Sequence, residues 1–175
     1  FIGLNSEDVS TEYGENKNYD NLEVKDRKTV MNYPKPKNGF SPYDSFFGKG
    51  IYNNSTQNSF IIKNSNSTDA IVLLVNAYSN KKIRNEFIRK SETFTMSGVP
   101  NGTYYLRWLS GNDWSPNIMT GNLKGGFQKN ASASQSDDKN DWMFSDGGAQ
   151  WTITLYSVSG GNMESESIGL NSFGN

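Results

Sequence analysis

The apolar residues of this chain fall in short runs, many of them alternating with polar ones, between clusters of Asn, Ser and Gly. "ETFTMS" (92–97) places Phe94 and Met96 on one face and Thr93 and Thr95 on the other. "TYYLRWLS" (103–110) does the same, with Tyr104, Leu106 and Trp108 opposed to Tyr105, Arg107 and Leu109. In "QWTITLYSV" (150–158), Trp151, Ile153 and Leu155 oppose Thr152, Thr154 and Tyr156. A period of two is the mark of a strand that buries one side. "AIVLLVNAY" (70–78) is instead a continuous β-branched run, as expected of a central strand buried on both faces. "SFIIKN" (59–64) reads as a short strand, and "KKIRNEFIRK" (81–90) follows a tight turn at "SN". "GGNMESESIGL" (160–170) reads as a turn and a weak last strand. About seven short strands separated by turns predict an all-β fold, an antiparallel β-sandwich over 41–175. Its inner positions should include Tyr104, Leu106, Trp108, Trp151, Ile153 and Leu155.

Residues 1–40 are patterned differently. Short apolar patches, "FIGL", "NLEV" and "TVMNY", are spaced by polar stretches such as "SEDVSTEYGENKNYDN" and end in "YPKPKNG". The prolines there favour extended chain and cannot continue a helix. This segment is too polar to hold a core of its own and reads as an extended N-terminal arm. Phe1, Ile2, Leu4, Leu22, Val24 and Val30 are its candidate contact residues. A first residue Phe1 rather than Met is expected of a chain whose leader has been removed or trimmed.

Composition narrows the chemistry. Lys plus Arg number 17 against 18 Asp plus Glu, so nothing basic enough for nucleic acid is present. No apolar run approaches membrane-span length. The 23 Asn and 22 Ser favour turns and solvated strand faces. There is no His and no Cys. A Ser-His-Asp triad, a Cys-His pair and a His- or Cys-ligated zinc site are therefore unavailable to this chain.

Between the strands at Phe94 and Tyr104, "VPNG" (99–102) has Pro and Gly placed as a tight turn requires. The longer pattern "FTMSGVPNGTYYLRW" resembles a hairpin of transthyretin-like and carboxypeptidase-regulatory-like sandwiches, which implies architecture and no activity. "SPYDSFFGKGIYNN", "IRNEFIRK", "SGNDWSPN" and "GGNMESESIGLNSF", in that order, are similar to a β domain of uncharacterised proteins from Bacteroidetes. That domain sits at the C-terminal end of its chains. The resemblance covers about 41–175 and implies a β domain without an established activity. The family commonly ends in two Phe and an Asn, whereas this chain ends "NSFGN".

Three functional readings follow. The first is a non-enzymatic structural or interaction module of the cell envelope or surface, extracytoplasmic, without a cofactor. Its arm would add a strand to identical subunits or to another envelope protein and build an oligomer or filament; the alternatives for the arm are docking back on its own domain and tethering it to a membrane-bound or upstream part. The second is a carbohydrate-binding module. There Trp108 and Trp114 would stack on sugar rings while Asp113 and Asn117 hold hydroxyls. Trp114 also reads as a loop residue plugging the end of the sandwich, because large aromatics usually bury. The third is a hydrolase with two carboxylates drawn from Asp113, Asp138, Asp141, Asp146, Glu164 and Glu166. "SDDKNDWMFSDGG" (136–148) has oxygen ligands of the kind calcium takes, but Trp142 stands where an EF-hand needs a third ligand. An irregular calcium loop over 137–146 is the remaining form of that idea.

Overall fold

The computed structural model describes residues 31–136, 138–156 and 163–175. The chain folds as two packed sheets. Its elements are a one-turn helix α1 (Asp44–Phe47), then β1 (Ser59–Lys63), β2 (Asp69–Asn76), β3 (Lys82–Ile88), β4 (Thr93–Ser97) and β5 (Gly102–Thr120). β6 (Leu123–Gln135), β7 (Met143–Ser145), β8 (Gln150–Thr154) and β9 (Glu166–Ile168) complete them. The small sheet has the order β4-β1-β8 and the large one β3-β2-β5-β6-β9, with β7 paired to the start of β5. The sandwich is mixed rather than wholly antiparallel, because β8 lies parallel to β1. The chain leaves the small sheet after β4, builds β5 to β7 in the large one, and returns running in the direction of β1.

One core fills the space between the sheets. Phe60, Ile62, Val72, Leu74, Met96, Tyr104, Leu106, Trp108 and Ile153 are buried there, with Phe94, Trp151 and Leu155 packed at its margin. All six expected inner positions lie in this core. It forms because residues two apart on β1, β4, β5 and β8 face the same way.

A second core lies on the opposite face of the large sheet. Ile71, Leu73 and Val75 of β2 pack there with Phe87, Tyr105 and Leu109. Tyr43 ahead of α1, Phe173 near the C-terminus, and Trp114, Leu123 and Phe127 of the β5–β6 hairpin cover them. The hairpin reaches this far because β5 does not stop at Ser110, where its alternation ends. Ladder irregularities between Ser110 and Asn112 and between Ser115 and Met119 bend it, as bulges do. Gly111 packs against Phe127 so closely that a Cβ would overlap that side chain. Gly125, at φ +117, leaves room for the Trp114 ring, whose Cη2 would be 2.6 Å from an added Cβ. "SGNDWSPN" is therefore strand and not loop, and β6 is a strand that the alternation did not mark.

Leu106 is fully buried at the centre of the inter-sheet core. Leu106→Ala should cost about 2–5 kcal/mol, read as a lower midpoint in chemical denaturation with an unchanged far-ultraviolet β spectrum.

Candidate functional site

A concavity lies where residues 31–35 cross the outer face of the large sheet. It is a cleft of about 670 Å³, walled by Met31–Lys35 on one side and by Asn112, Asp113, Trp114 and Lys129 on the other, with Asp69 and Lys90 at its end. The strap is held down along its length. Met31 N donates to Gln128 Oε1 at 3.0 Å, and Gln128 Nε2 donates to the Met31 carbonyl at 2.6 Å. Asn117 Nδ2 donates to the Tyr33 hydroxyl at 2.8 Å. Lys35 Nζ is 2.8 Å from the buried Asp69 carboxylate, which also accepts from Lys90 N at 2.9 Å. Arg89 Nε donates to the Pro36 carbonyl at 2.8 Å.

The candidate sugar-binding residues are divided by this arrangement. Asp113 and Trp114 line the cleft, and Asn117 is bound to one of its wall residues. Trp108 belongs to the inter-sheet core, on the other side of the large sheet. Trp114 is 8% exposed. Its ring stands edge-on to Phe87 and Phe127 at 5.7 and 6.1 Å between centroids, in the packing role of a plug. Asp113 adopts φ 57, and its carboxylate is 2.8 Å from Lys129 Nζ. Both carboxylates of the cleft are thus matched by ammonium groups.

The other acidic candidates lie elsewhere. Asp138, Glu164 and Glu166 border a hollow of about 200 Å³ with Gln135 and Ser165. Asp138 accepts from Asn140 N at 2.8 Å, and Asp141 accepts from Glu164 N at 2.7 Å. Gln135 Nε2 donates to Glu166 at 2.6 Å. Asp146 is exposed, and Asp137 lies outside the described residues. Among the described residues no three carboxylates are gathered as a metal ion needs.

A sheet's edges are where another chain can pair, and here they differ. The edge of β3 is closed by the chain that precedes β1. Gly39 N donates to the Phe87 carbonyl at 2.8 Å, Phe87 N to the Phe40 carbonyl at 2.6 Å, and Ile51 N to the Ile83 carbonyl at 2.9 Å. Three buried polar residues of "IRNEF" hold that lead-in. Asn85 accepts from Tyr43 N at 2.7 Å and donates to Asp44 at 2.9 Å. Glu86 takes a hydrogen bond from Ser41 at 3.2 Å and lies 2.6 Å from Arg84 Nη2. Arg84 also donates to the Ser97 carbonyl of β4 and stacks over Tyr52 at 4.2 Å. Asn38 Nδ2 donates to the Thr93 carbonyl at 3.0 Å, so β4 is partly capped as well. The alternation in 81–90 gave no sign of this, because polar residues in a strand read as solvent-facing.

The outer edge of β8 is different. Ser59 N donates to the Ala149 carbonyl and Leu155 N to the Lys63 carbonyl. In a parallel ladder this turns the main-chain groups of Trp151 and Ile153 toward β1 and those of Gln150, Thr152 and Thr154 outward. Among the described residues no main-chain hydrogen bond reaches those outward groups. Beside them, Trp151 Nε1 donates to the Phe144 carbonyl at 3.2 Å, and the Phe144 ring is 62% exposed. The arm residues Phe1, Ile2, Leu4, Leu22, Val24 and Val30 lie outside the described residues.

Burial pushes the Glu86 carboxyl above its ordinary value, against the pull of the Arg84 guanidinium. A raised carboxyl costs stability as pH climbs through the window between its unfolded and folded values, and nothing below it. Arg84→Met should cost about 3–5 kcal/mol at neutral pH, because Glu86 is left buried and uncompensated. The deficit should shrink in melts taken at falling pH, as Glu86 takes up its proton. Trp114→Ala should cost about 3–5 kcal/mol, whereas Asp113→Ala, which breaks an exposed ion pair, should change stability by at most about 1 kcal/mol. No family model, curated protein or solved structure matches this chain.

Proposed function

We propose that the protein is a non-enzymatic structural or interaction module of the cell envelope or surface. In this reading its first 30 residues add a strand to an identical subunit and build an oligomer or filament. The observation that carries the reading is the unequal treatment of the edges. Residues 39–40, at the end of a turn, already bridge to Phe87 through main-chain hydrogen bonds and close the β3 edge. The β8 edge keeps its outward groups unpaired among the described residues. A chain that closes one edge with its own main chain has the means to close another in a neighbour. Repeated head to tail, such a contact gives a ring or an open filament.

A glycan-binding reading attaches to the cleft, where Asn112, Asp113 and the Tyr33 ring offer polar groups beside one edge of Trp114. It has less support, since Trp114 is buried against Phe87 and Phe127. A glycan array with Asp113→Ala as control separates the two readings.

The test of assembly is to compare the full chain with a chain lacking residues 1–30, which keeps the strap at Met31–Lys35. Light scattering should give a multiple of the 19.6 kDa chain mass for the former and a monomer for the latter, with equal melting temperatures. A monomer in both cases at high concentration overturns the reading.

A further inference from the structure

We infer that the acceptor in this assembly is the outer edge of β8, and that the strand it receives is the segment around Leu22–Val24 of a second copy. The inference rests on the assembly reading and names its two contact surfaces.

Edge strands are normally guarded by Lys, Pro, a bulge or a covering loop. β8 reads "QWTIT": no charge, no proline, and β-branched or aromatic at four of five positions. Its register with β1 is regular from Ser59–Gln150 to Lys63–Thr154. A strand of this composition with unpaired groups is a template for another strand.

The shape of the edge states what the incoming strand must be. On the inner side, Trp151 and Leu155 are only partly covered at the margin of the inter-sheet core. On the outer side, Gln150 and Thr152 are exposed. The matching strand has two apolar residues two apart, with polar or charged residues between and around them. "DNLEVKD" (20–26) meets this, with Leu22 and Val24 on one face and Asn21, Glu23 and Lys25 on the other. Its charges would also stop a further strand from adding, which limits the contact to one per edge.

The donor belongs to a second copy for a reason of path. Six residues separate Val24 from Met31, a reach of about 25 Å over seven Cα steps. The strap that Met31 begins lies with Trp114 and Asp69 on the face of the large sheet turned away from β8. To reach its own β8 the segment would have to round the sandwich, whose sheets alone stand about 10 Å apart. A neighbour's β8 imposes no such detour.

The test uses the full chain. Thr152→Pro removes an outward N–H and no bond to β1. It should leave the melting temperature near that of the unaltered chain and reduce the assembly to monomers in light scattering. The chain has no Cys, so Glu23→Cys and Thr152→Cys proteins, mixed and oxidised, should give a disulfide-linked heterodimer. That readout stands even if the proline variant folds poorly. If removal of residues 1–30 gives monomers while Thr152→Pro still assembles and the mixed cysteine variants do not cross-link, assembly stands and the β8 site is wrong. If the double cysteine variant closes only within one chain, the second copy is wrong. If the full chain is itself monomeric, the assembly reading falls and this inference with it.

Discussion

The structure depends on one strand that has no solvent face. Ala70 to Val75 of β2 are each 0% exposed, so the sheet around them needs a cover on both sides. The small sheet supplies one. The other is not a second sheet, because among the described residues no strands remain to make it. It is assembled from three pieces that are distant in sequence: Tyr43 and Phe47 around α1, the far half of the β5–β6 hairpin, and the C-terminal turn with Phe173. Tyr43 joins them directly. Its ring meets Phe173 at 6.2 Å between centroids, and its hydroxyl donates to the Gly125 carbonyl of β6 at 3.1 Å. Burial raises the pKa of that phenol well above its ordinary value, as suits a group that acts here as a neutral donor. Arg107 fixes the third piece, donating to the Ser172 and Asn175 carbonyls.

The same demand explains the buried polar residues of β3. A strand whose edge is closed by irregular chain cannot rely on a regular ladder, since that chain offers main-chain groups at uneven spacing. Asn85, with both a donor and an acceptor, matches one N–H and one carboxylate of the lead-in. Arg84 and Glu86 give a charged pair whose remaining valences reach Ser41 and Ser97. Such a pair adds little net stability over an apolar one, but it is costly to break. Its contribution is to fix where the lead-in lies, and through it the strap and the cleft.

How much of this the chain announces follows from what each residue does. Wherever a strand buries one face between the sheets, alternation placed it: Phe94 and Met96, Tyr104 to Trp108, and Trp151 to Leu155 all face as their spacing implied. The apolar run in β2 likewise marked its double burial. β6 was hidden because its inward positions include Gly125, Gly126 and Ala133, small residues chosen to admit Trp114, Thr120 and the second core. Small residues carry no hydrophobic period, so a strand that packs by accommodating others leaves no trace in the pattern. That hairpin turns at Gly121, with φ +59. Trp114 was legible as a plug by residue type, though not its place in a strand. The cleft was half legible. Asp113 and Trp114 pointed to it, but Tyr33, Lys35 and Asp69 come together there only because the strap crosses the sheet. Nothing in a one-dimensional pattern encodes that crossing.

The parallel placement of β8 has a consequence for its edge. An antiparallel strand joined to β1 by a hairpin would have put its free edge beside a turn, where a loop readily covers it. A strand that arrives parallel, after the excursion through β5, β6 and β7, comes with its incoming connection running from the large sheet. β7 pairs with β5, and β9 pairs with β6. Among the described residues only the Trp151–Phe144 hydrogen bond links β8 laterally to its neighbours on that side. Among the described residues, topology rather than any single residue leaves this edge without a partner strand. The opposite side of the sandwich is closed by topology too, since the chain must pass β3 and β4 on its way into β1. One sandwich therefore carries a side sealed by its own N-terminal approach and a side fit to receive extended chain. That is the asymmetry a head-to-tail contact between identical subunits requires.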